Sequence, residues 1–147
     1  MSYVVDTNIF NKLVDGTLNV DDLPTDGKFL ATHVQIDEIN NTKDSERRAL
    51  LFLRFAEVRP EIVPTESFVL DVSRLDYGKL SDGILFDTLK QKLDALNKSK
   101  LNNAQDVLIA EVAIVNKFTL LTSDRHLAEV VEKQGGKIVH FNSHKSQ

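Results

Sequence analysis

Two carboxylates stand where apolar strands run into helices. Residues 3–5 lead directly into Asp6-Thr7-Asn8, and late in the chain Thr119-Leu120-Leu121-Thr122-Ser123 leads into Asp124. In an α/β protein the carboxyl ends of the strands form the rim where ligands bind. Two further acids belong to the same rim. Glu38 lies about one and a half turns into the helix that follows a second apolar strand, and Asp106 lies in the first turn of a later helix. Alone, Asp6 and Asp124 read equally well as helix caps and Asp106 as a first-turn acid, while Glu38 competes with its neighbour Asp37. Four together point to a divalent cation, because facing carboxylates repel one another unless a cation sits between them. Mg²⁺ and Mn²⁺ take such hard oxygen ligands, and one or two ions can align a phosphodiester and activate a water for in-line attack.

The elements that must position these acids follow from periodicity. Strands are expected at 3–5, 28–31, 62–63, 118–121 and 137–141, the third at an edge because Pro64 follows it. Helices are expected after Asp6, after Thr32, over 46–58, over 84–96, from Asn103 to about 115 and over 125–133. The apolar stripe of the 46–58 helix reads as Leu50, Leu51, Leu53 and Phe55, and that of the 103–115 helix as Val107, Leu108, Ala110 and Ile114. Segment 68–75 reads as a helix entry and 77–83 as a loop, and the tail 142–147 is expected to fray. Alternating strands and helices of these lengths predict a mainly parallel sheet of four to five strands with helices on both faces.

The bulk properties set the limits. A chain of 147 residues with 41% hydrophobic and 27% charged residues is expected to be one globular domain, burying roughly two-thirds of its unfolded surface. No apolar run approaches the roughly 20 residues of a membrane helix, and Asp6 interrupts any secretory core. The absence of cysteine leaves oxygen or imidazole to hold a metal and fits a cytoplasmic location. His33, His126, His140 and His144 show no common metal spacing, although Arg125 and His126 lie near the rim, where they could touch phosphate. A net charge of −4 argues against a nonspecific nucleic-acid coat but not against a nuclease, whose own acids lower the total.

Four segments in order resemble the PIN-domain nucleases, including the toxins of VapBC-type modules: Val5-Asp6-Thr7-Asn8, Asp37-Glu38-Ile39, Asp106-Val107-Leu108-Ile109-Ala110 and Leu121-Thr122-Ser123-Asp124. The resemblance spans nearly the whole chain. It implies a three-layer α/β/α sandwich and an Mg²⁺- or Mn²⁺-dependent endoribonuclease. Asp6, Glu38, Asp106 and Asp124 would be its metal-binding catalytic acids, with Glu38 preferred over Asp37 because it precedes Ile39. Asn8 and Thr122 would be supporting groups. The resemblance also implies a homodimer, an RNA substrate and, for a toxin, a cognate antitoxin. The alternatives are a housekeeping RNA-processing nuclease and an inert PIN-like module that binds RNA or protein. A receiver-type phosphotransfer domain ranks lower, since it needs an acidic pair after the first strand. The chain departs from the compact toxin pattern at 67–101, where a helical insert could shape RNA access or a dimer interface.

Overall fold

The computed structural model describes residues 1–67, 83–97 and 103–141. Five strands form one sheet: β1 (Ser2–Val5), β2 (Lys28–Ala31), β3 (Glu61–Ile62), β4 (Thr119–Thr122) and β5 (Lys137–His140). Their order is β3-β2-β1-β4-β5, and every pairing is parallel. The helices are α1 (Thr7–Asp15), α2 (His33–Asn40), α3 (Ser45–Val58), α4 (Ile84–Asn97), α5 (Asn103–Asn116) and α6 (Arg125–Lys133), with a short 3-10 turn at Val20–Asp22.

Alternation along the strands builds two cores, one on each face of the sheet. Tyr3 and Val5 of β1, with Leu121 of β4, pack against Ile9, Phe10 and Leu13 of α1 and Leu51 of α3. Val4 and Leu120 point the other way, against Leu89 and Leu93 of α4, Val107–Ala110 of α5 and Leu127 of α6. The result is the expected α/β/α sandwich. Side chains two apart on a strand share a face, so one apolar triplet serves both layers.

Local chemistry sets the helix ends. Gly16 closes α1 in the left-handed conformation at φ 79°, which a residue with a Cβ adopts only under strain. Asp44 caps α3 by accepting from the amides of Glu46 and Arg47. Thr32 and Gln35 form a capping box at the start of α2.

Several boundaries differ from the sequence expectation. Phe118 lies outside β4 because its amide donates to the Ala113 carbonyl and closes the end of α5 (2.9 Å), so pairing starts at Thr119. β3 is Glu61–Ile62 rather than 62–63, and β5 stops at His140. On α3 Leu51 and Val58 are buried and Phe55 partly so, at helical spacing toward α1, while Leu50 and Leu53 lie on its flank at 41% and 50% exposure. α5 has no single stripe: residues 106–113 are all buried. The expectations for 68–82, 98–102 and the tail 142–147 fall outside the described residues, whereas α4 stands within the expected insert.

Candidate metal centre

β1 is the strand at which the sheet order reverses: β2 and β3 lie on one side of it, β4 and β5 on the other. Such a switch point opens a crevice beyond the carboxyl ends of the two central strands. Asp6 stands at that crevice. Its amide donates to the Leu121 carbonyl (2.9 Å), so the β1–β4 ladder runs right up to it.

Asp6 occupies the N-cap position of α1 but makes no side-chain capping bond. Instead the Thr122 hydroxyl donates to its Oδ2 at 2.7 Å. That hydroxyl also accepts from Asn8 Nδ2 (3.4 Å) and from the Asp124 amide (3.0 Å), while Asn8 Oδ1 accepts from the Ser123 amide (3.1 Å). Thr122 is therefore a fully buried hub joining the two strand ends. Burial at 2% exposure pushes the Asp6 carboxyl up to about 6; the bond from Thr122 opposes this, and the charge of Asp124 adds to it.

Glu38 arrives from the other side, because α2 is stapled to β1. Gln35 accepts from the amide and hydroxyl of Thr32 (2.9 and 2.6 Å) and donates through Nε2 to the carbonyl of Val5 (2.9 Å). One turn further on, Glu38 Oε1 accepts from the Thr7 hydroxyl at 2.6 Å. Desolvation pushes the Glu38 carboxyl up to about 7; the Thr7 bond opposes the shift and the charge of Asp6 reinforces it. Asp37, its neighbour, is partly exposed.

The other two acids are held differently. Asp124 caps α6, its Oδ1 accepting from the amides of His126 (2.9 Å) and Leu127 (3.1 Å). Asp106 sits in the first turn of α5 at 8% exposure, where the helix dipole favours a carboxylate. Electrostatic coupling thus ties Asp6 to both Glu38 and Asp124. Among the described residues, no three acids or histidines stand close enough together to hold one ion jointly.

Solved structures share this architecture. A chain of VapBC2 from Rickettsia felis, in a structure bound to a DNA fragment from their promoter, superposes with a TM-score of 0.60 at 17% identity, covering 97% of this chain and 100% of that one. VapBC-1 from nontypeable Haemophilus influenzae gives 0.53 at 16% identity, and VapBC-5 from Mycobacterium tuberculosis gives 0.52 at 17%. Each covers 95% of this chain and 98% of its own. The chain has the PIN-type fold. No family model and no curated protein sequence matches it.

The donor set suits Mg²⁺ or Mn²⁺ in kind. All four acids offer hard oxygens, and Mg²⁺ is commonly held through one or two carboxylates while keeping several waters. Asp6 and Glu38, each raised by desolvation and by a neighbouring negative charge, are the pair whose ionised forms a cation would relieve most. Sequence reasoning overlooked Gln35, although Thr32-His33-Val34-Gln35 carries the capping-box spacing that marks it. It also overlooked the amides Asn97 and Asn103, for which no local pattern gives a signal.

Proposed function

We propose that this chain is a PIN-domain endoribonuclease, hydrolysing RNA phosphodiester bonds with Mg²⁺ or Mn²⁺, and that it serves as the toxin of a toxin–antitoxin pair. The observation that carries this reading is the coupling of two desolvated acids from different elements, Asp6 and Glu38, at the switch point of a parallel sheet. The VapBC neighbours support the toxin assignment and, with it, a cognate antitoxin as partner. A homodimer and a cytoplasmic location complete the proposal; no described helix is long and apolar enough to cross a membrane.

In this reading Asp6 and Glu38 are the principal metal ligands, with Asp106 and Asp124 completing the acidic rim. A bound cation supplies charge neutralisation at the phosphodiester and a water of lowered pKa. Thr122 and Asn8 hold the Asp6 carboxylate in one orientation, Thr7 does the same for Glu38, and Gln35 fixes the helix that carries Glu38. The buried Val5 and Leu121 at the strand ends keep bulk water from the inner side of the centre.

The test is cleavage of RNA by the parent and by Asp6→Asn with Mg²⁺ or Mn²⁺ present. Equal cleavage by both would sink the mechanism. The separation of the acids favours one second reading, a module that binds RNA or protein without cutting. Calorimetric titration with Mn²⁺ separates the two, since an inert module takes up no ion.

A further inference from the structure

A chain of buried amides links three helices on one side of the acidic rim. Lys90 Nζ and Asn103 Nδ2 both donate to Asp94, at 2.7 Å each. Asn97 Nδ2 donates to Asn103 Oδ1 at 3.4 Å, and Nδ1 of His126 meets Asn97 Oδ1. Since Asn97 already donates through its nitrogen, its oxygen can only accept, which puts a proton on Nδ1 of His126. Every donor in the series then points toward one anion, Asp94, whose carboxyl is held below its usual range by Asn103 and Lys90.

The burial and the placement go beyond joining α4 to α5. Asn103 is fully buried and Asn97 nearly so, so each unmet amide bond would leave a desolvated dipole. Asn97 and Asp94 belong to α4, Asn103 is the first residue of α5 and His126 lies in the first turn of α6. The first turn of α5 carries Asp106, and His126 donates its own amide to Asp124. A link between α4 and α5 alone would need no residue of α6.

We propose that Asp94, Asn103, Asn97 and His126 form a positioning network that locks the first turns of α5 and α6 to the end of α4, and so sets the placement of Asp106 against Asp124. The proposal rests on the nuclease reading for its purpose, but not for its existence. It makes α4 a strut of the centre rather than an appendage.

The experiment compares the parent with Asn97→Ala, His126→Ala and His126→Asn. Asparagine at position 126 keeps a donor near the place of Nδ1 and discards the rest of the ring. Amide exchange at 103–107 and 125–128, Mn²⁺ affinity, kcat, KM and Tm are read for each. Asn97→Ala is expected to speed exchange in both first turns, weaken Mn²⁺ binding about tenfold and lower kcat with KM little changed. His126→Ala is expected to do the same, and His126→Asn to stay near the parent. Unchanged exchange at 125–128 in folded Asn97→Ala overturns the network. Equal loss in His126→Asn and His126→Ala overturns positioning in favour of direct contact by the ring. Coupled exchange in a parent that neither binds Mn²⁺ nor cuts RNA overturns the nuclease reading and the network's assignment to a metal centre.

Discussion

The β1–α1 and β4–α6 junctions are built alike, each an apolar strand ending in a short polar segment with an acid at the helix N-cap, yet they use the acid differently. Asp124 spends its Oδ1 on the amides of its own helix. Asp6 turns from its helix to the Thr122 hydroxyl on the neighbouring strand. The difference lies in burial. Asp124 is partly exposed and behaves as an ordinary cap, while Asp6 is enclosed on both sides by central strands and is raised by its loss of water. Position at a helix start does not decide an acid's role; the neighbour across the sheet does.

The largest effect that would break the comparison is on cleavage. Asp6→Asn is expected to reduce RNA cleavage by several kcal/mol of barrier, on the order of a thousandfold. The same change should raise the metal-free Tm by removing a desolvated charge. A Tm that fell, measured by calorimetry in chelator, would mean that the Asp6 charge stabilises the fold.

Next comes Thr122→Val, which removes the hydroxyl shared by Asp6, Asn8 and the Asp124 amide. Stability should drop by about 1–3 kcal/mol in denaturant titration, since several buried groups lose a partner at once. The Asp6 carboxyl, having lost the bond that opposes its shift, should titrate higher still, a change visible in carboxyl NMR.

A smaller effect sharpens the contrast between the two acids. Asp124→Ala should cost about 1 kcal/mol through the lost cap, and Asp124→Asn should restore most of it, because asparagine caps as well as aspartate does. At position 6, asparagine and alanine should not show that cap signature. Comparable rescue at both positions, read from chemical denaturation, would erase the distinction.

The pH dependence without metal tests both buried acids together. Asp6 and Glu38 bind protons more tightly in the folded chain than in the unfolded one. Their contribution is full below the unfolded carboxyl range, about pH 4, and is lost as pH rises through about 6 for Asp6 and about 7 for Glu38. The metal-free Tm should therefore decline from pH 5 to pH 8, and saturating Mn²⁺ should flatten that decline. A Tm that climbed over this window in chelator would contradict the burial of both acids.

Much of the fold was legible because its signals are local. β2 at Lys28–Ala31 and α6 at Arg125–Lys133 fall where the pattern put them, since a short apolar run and a capped amphipathic run need no tertiary context. The stripe of α3 was misread because closely spaced leucines at 50, 51 and 53 leave the buried face ambiguous until α1 selects Leu51 and Phe55. The strand-end pattern brought Asp6 and Asp124 to one rim, as adjacent parallel β1 and β4 require. What holds them there was hidden. Gln35 reaches Val5 across 30 positions, and His126 reaches Asn97 across 29, so these bonds exist only once the sheet and helices are assembled.

The bond from Thr122 to Asp6 spans 116 positions, and β4, which carries Thr122, lies beside a strand formed from the first residues of the chain. During synthesis Asp6, Glu38 and all of α1–α3 leave the ribosome well before β4 exists. Until it arrives, one flank of β1 has no partner and the acid at its end stays in water, with neither the enclosure nor the hydroxyl that set its character. The centre is thus completed only once β4 is made, long after Asp6 and Glu38. On the proposed nuclease reading, this order of assembly keeps the growing chain inert beside the ribosome and the message that are producing it.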